Sequence, residues 1–147
     1  MSRSKSRSAA RLAAVQASYQ CSMESTPVTQ LLHEFHQHRL GATIEDIEYN
    51  EADVAFFDDL VKGSVARQAE LDTAISARLS TGWTLERLDK PMRALLRVAT
   101  YELLARADVP VKTVINEYID VADAFYDARE KGFVNGLLDA VAKDVRR

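Results

Sequence analysis

Apolar residues in this chain recur three or four positions apart, and nothing alternates with period two over a useful length. Met92, Leu95, Leu96, Ala99 and Leu103 form one such stripe; Val114, Ile115, Tyr118, Ile119, Ala122 and Phe125 form another. That spacing gathers side chains on one face of a helix, whereas a half-buried strand needs strict alternation. Prolines punctuate the stripes. Thr26-Pro27 and Asp89-Lys90-Pro91 read as a cap followed by a first-turn proline, and Val109-Pro110 reads as a break. Five glycines and three prolines leave little material for the turns of an all-β fold. The expected fold class is all-α, with about seven helices joined by short connections.

Along the chain, MSRSKSR offers nothing to bury, so residues 1–7 are expected to be a flexible basic arm, with residues 8–147 as one helical domain. Ser8 is placed to cap a first helix, and a second runs from Thr26 to about Leu40. After a loop over 42–50, Asn50 can cap a long helix reaching Leu79, kinked near Gly63-Ser64. Trp83–Leu88 makes at most a short turn. The fifth segment carries the Met92 stripe, and the sixth, 111–126, is expected to bury Phe125. The last helix follows a polar loop at Asp127–Lys131 and contains FVNG, where the helical spacing of Val134, Leu138, Val141 and Val145 overrules the turn signal of Asn135-Gly136. Gly136 is expected to let another helix approach closely. Asn116 and Asn135 are expected to tie the 127–132 loop to helix ends.

Net charge is −3, but it is unevenly spread. Residues 1–23 carry Arg3, Lys5, Arg7 and Arg11 and no acid, whereas the other 124 residues sum to −7. A basic arm on an acidic body suits an anion partner, nucleic acid above all, or else is a solubilising tail. The N-terminus lacks the apolar segment of a secretory signal, and no apolar run approaches the ~18 residues of a membrane span, so a cytoplasmic location is expected. Cys21 is alone, which excludes an intramolecular disulfide or a cysteine-based zinc site. His33, His36 and His38 lack a nearby Cys or Asp to complete a metal set, and no metal or other cofactor is expected. Asp58 and Asp59 are adjacent, so on a helix they diverge by about 100° and cannot act as an acid/base pair. No phosphate loop, nucleophile elbow or zincin motif is present, and an enzyme is not expected.

Three features remain. Arg11, Gln16 and Tyr19 on the first helix combine a cation, an amide and a phenol, which suits a phosphate backbone with bases bonded nearby; alternatively Tyr19 is core, with its hydroxyl at the rim. Arg93 and Arg97 share a helix face and either brace acids of another helix or add to an anion site. Phe133 is a packing staple if buried and a base-stacking platform if exposed.

These motifs together resemble the NusB family of bacterial transcription antitermination factors. The resemblance rests on ARLAAVQASYQ near the start, GWTLERLDKPMRALLR in the middle, and the ordered set LR-x-A-x-YEL, VP-x-K-x-x-INE and FVNG after it. It implies a bundle of two packed helical subdomains. It also implies binding of the boxA segment of single-stranded nascent RNA, jointly with the ribosomal protein NusE, within an RNA polymerase antitermination complex that suppresses termination in ribosomal RNA operons. No catalysis is implied. The alternative is a helical protein–protein scaffold without direct RNA binding. RNA contacts would map onto Arg3, Lys5, Arg7, Arg11, Gln16, Tyr19, Arg97, Lys131 and Phe133, and the partner onto Glu86 and Arg87. The chain departs from the family pattern at Asp123 and Gly132, where many members are basic, and Lys131 is placed to compensate. Four phosphate contacts to single-stranded RNA would give a slope of about −3 in log K against log salt.

Overall fold

The computed structural model describes residues 3–38, 43–44, 47–48 and 53–146. Its helices are α1 (Arg3–Glu24), α2 (Val28–His38), α3 (Val54–Ala66), α4 (Gln68–Ser76), α5 (Lys90–Ala105), α6 (Val111–Asp123) and α7 (Ala128–Val145), with a 3-10 turn at Leu85–Arg87. Within the segment expected to be a loop, Thr43–Ile44 (β1) and Ile47–Glu48 (β2) pair antiparallel, Thr43 opposite Glu48 and Ile44 opposite Ile47.

Aspartate caps start α3, α5 and α7. Asp89 accepts a hydrogen bond from the Met92 amide at 2.9 Å, and Pro91 sits in the first turn, so α5 starts as the sequence implies. Pro110 closes the gap before α6. Asp127 accepts from the Arg129 amide at 3.2 Å, which starts α7 at Ala128, inside the expected loop; Phe133 therefore lies in the second turn rather than at the helix mouth. The first helix starts at Arg3 instead of Ser8, so the basic segment continues α1.

The expected long helix is two. Asp53 caps α3 by accepting from the Phe56 amide at 2.9 Å; Asn50 lies outside the described residues. The break falls at Arg67, not Gly63-Ser64. Gly63 has a different job. A Cβ added there would lie 2.0 Å from Tyr101 Cζ, so the bare backbone is what lets that ring lie against α3.

Helix α5 is the centre. Met92, Ala94, Leu95, Leu96 and Val98 through Leu103 are all buried, which leaves it almost no solvent face. Packed around it are α1, α3, α4, α6 and α7. One helical group comprises α1 to α3, with α2 against α1 and α3; the other comprises α4, α6 and α7, and α5 is shared by both. Phe125 is a correction. It falls in the turn after α6 and is 47% exposed, because the helix ends at Asp123 and rotates the ring out of the stripe. Gly136 and Gly132 would each meet nothing within 4 Å of an added Cβ, so Gly136 does not serve a close helix approach.

Candidate nucleic-acid interface

The inner face of α1 consumes its arginines. Arg11 is buried and grips fully buried Glu102 with two bonds, Nε to Oε1 at 2.8 Å and Nη2 to Oε2 at 2.6 Å. Its other nitrogen lies 3.2 Å from Glu117. The Tyr118 hydroxyl donates to Glu102 at 2.8 Å, and the Ser8 hydroxyl donates to Glu117 at 2.8 Å. Burial alone would lower the Arg11 pKa, but the bonds and charge of Glu102 outweigh it and hold the guanidinium above its ordinary value. Burial, followed by the Glu102 charge, pushes the Tyr118 phenol well up.

Arg7, one turn earlier, follows the same course. It lies 3.8 Å from Asp53 and 4.0 Å from Asp108, and its guanidinium carbon sits 4.5 Å from the Phe56 ring centroid. Arg106 and Arg11 approach the same ring at 5.0 and 5.1 Å. Arg7 and Arg11 were expected on RNA; the structure makes Arg11 an interior brace and ties Arg7 to acids of two loops.

Two other expected cations are also engaged. Arg97 forms a two-bond pair with Asp72 of α4 at 2.7 and 3.0 Å, which is the bracing alternative. Lys131 bonds Asp123 at 2.7 Å, so this departure from the family pattern also ties up the lysine placed to offset it, and the bond raises the Lys131 pKa. Arg3 begins α1, but its side chain lies outside the described residues. Lys5 is exposed.

Another face of α1 is built differently. Lys5, Gln16 and Tyr19 lie on it, about 160°, 180° and 120° around the helix from Arg7 at 100° per residue. Gln16 and Tyr19 line a cleft of about 510 Å³ together with Gln20, Met23, Glu24 and Phe125. The Gln16 Oε1 is buried and makes no hydrogen bond among the described residues. Phe133 is 38% exposed on α7, so it is not a buried packing staple. Glu86 and Arg87 are exposed on the 3-10 turn, where Arg87 donates to the Gly82 carbonyl at 2.6 Å. Asn116 and Asn135 are exposed and face a shallow cleft shared with Lys112 and Asp139, so neither ties the 127–132 loop. His36 meets Asp58 at 2.7 Å, and among the described residues no group of three or more His, Cys, Asp or Glu side chains could hold a metal.

The NusB family model matches residues 8–143. The chain belongs to the NusB family. A transcription antitermination protein NusB from Sphingopyxis alaskensis is 68% identical over 145 residues, covering 99% of this chain and 97% of the relative. The NusB of T. maritima superposes with a TM-score of 0.78 at 30% identity, over 96% of this chain and 93% of that one. A crystal structure of antitermination factors NusB and NusE in complex with dsRNA gives 0.79 at 22% identity, covering 98% and 99%, a likeness of fold.

Within this NusB fold, sequence reasoning overlooked the pairing of Glu102 and Glu117 with Arg11, and it placed Phe125 in the core. Glu102 is 91 positions from Arg11, and no local spacing links residues so far apart. Its one signal is a carboxylate inside an apolar stripe, which must find a cation when buried. Among the described residues, no helix is long and apolar enough to cross a membrane.

Proposed function

We propose that this NusB-family chain is a transcription antitermination factor that binds boxA-type single-stranded RNA jointly with NusE. In this reading it joins the RNA polymerase antitermination complex in the cytoplasm, suppresses termination in ribosomal RNA operons, and works by binding, without catalysis. The observation that carries the reading is the outer face of α1, where the cleft lined by Gln16, Tyr19 and Phe125 offers amide, phenol and aromatic groups in one opening. Phe133 adds an exposed ring on α7. Glu86 and Arg87 are the proposed NusE contacts.

The internal pairing of Arg7, Arg11, Arg97 and Lys131 revises the electrostatic expectation. With these four cations paired inside the molecule, the salt slope should be shallower than about −3. Filter binding of boxA RNA between ~50 and 200 mM salt, with and without NusE, tests both parts. Retention with that shallow slope, tightened by NusE, supports the reading. No retention at ~50 mM salt in either case leaves a protein–protein scaffold instead.

A further inference from the structure

The α1 cleft has a lining that discriminates among ligands. Among the described residues its walls carry no lysine or arginine, and Glu24 contributes a carboxylate, so a phosphate would be repelled. A volume of about 510 Å³ falls in the roughly 300–1,000 Å³ range of sites that enclose flat small-molecule ligands. Phe125 and Met23 are 47% and 50% exposed there, which gives an aromatic face and a polarizable thioether in one opening. Against them stand two acceptors. Gln16 Oε1 is buried without a hydrogen-bond partner, and Glu24 is held only by long bonds, from Gln20 Nε2 and Thr26 Oγ1, each at 3.5 Å. A leucine-like side chain would leave both acceptors unsatisfied at a cost. A ligand with a π-face and N–H donors along one edge satisfies both and stacks as well.

We propose that this cleft receives one unstacked RNA base bearing an exocyclic amino group, its ring against Phe125 and its amine on Glu24, with Gln16 Oε1 accepting a second N–H. The inference rests on the RNA-binding reading above and adds a base-specific subsite to it. Adenine, cytosine and guanine each present an amino group to the carboxylate. Uracil presents one ring N–H between two carbonyl oxygens, and those oxygens face Glu24 with like polarity. The backbone then passes outside the cleft.

The test uses the full chain with NusE and fluorescence anisotropy on boxA RNA, together with a series of RNAs in which each amine-bearing base is replaced singly by uracil. Phe125→Ala and Phe125→Leu should each weaken binding at least tenfold with little change in melting temperature, and Phe125→Tyr should stay within threefold of the wild type. Glu24→Gln should erase the uracil penalty at one position of the series and leave the others intact. Wild-type affinity in Phe125→Leu, or an unchanged penalty profile in Glu24→Gln, overturns the subsite while the RNA-binding reading stands. A loss of NusE affinity with unchanged RNA binding assigns the cleft to a protein side chain and overturns it too. Failure of the wild-type chain to bind any of these RNAs overturns the parent reading and the subsite with it.

Discussion

The two faces of α1 carry similar polar side chains to opposite ends. On the inner face, Arg7 and Arg11 meet Asp53, Asp108, Glu102 and Glu117, and three guanidinium groups surround Phe56. On the outer face, Gln16 and Tyr19 open onto a cleft, and Gln16 Oε1 has no internal bond. A cation count along the sequence treats all four N-terminal charges alike. Depth sets Arg11 apart, because a buried guanidinium must be matched by a carboxylate and is then spent.

The largest effect should come from breaking the inner face. Arg11→Ala leaves Glu102 buried without its cation, and a loss of about 3–5 kcal/mol is expected in urea unfolding. A variant that kept its stability and lost only RNA affinity would transfer Arg11 to the outer category. Gly63→Ala should cost about 1–3 kcal/mol, since the new methyl group would collide with the Tyr101 ring.

A third expectation concerns pH. Burial, then the hydrogen bond to Asp59, pushes the Tyr101 phenol up to about 12 from its ordinary 10.0. Its folded pKa lies above its unfolded one, so the stabilisation is complete below about pH 10 and fades as pH rises towards 12. Tyr101→Phe should flatten the fall in stability measured across that window.

The outer face should respond in the other currency. Phe133→Ala should move stability by no more than about 0.5 kcal/mol, as for an ordinary surface site, while weakening boxA RNA binding severalfold. Asp123→Asn, the smallest change, removes the partner of Lys131. The salt slope for RNA should then steepen by about 0.7, one further phosphate contact.

Much of the fold was legible because its signals are local. The Asp89-Lys90-Pro91 start and the Val109-Pro110 break needed only neighbouring residues, and both boundaries stand. Phe125 misled because it extends the α6 stripe in register, yet the helix stops two residues before it. Gly136 suggested a close approach that geometry does not require, while Gly63, read as a kink, is where Tyr101 closes in. The site was legible in kind rather than in residue. Gln16 and Tyr19 carry recognisable chemistry and are half-buried, and Phe133 is exposed, but the partners of Arg11 and Arg97 lie 91 and 25 positions away, beyond any periodicity.

The division between the faces can be read directly by NMR, following backbone amides and arginine Nε–H signals as boxA RNA and NusE are added to the labelled chain. The account predicts the largest RNA-dependent shifts at Lys5, Gln16, Tyr19 and Gln20, with the Arg11 Nε–H signal unmoved in its bond to Glu102. A shifted Arg11 Nε–H signal with Gln16 and Tyr19 silent would contradict it.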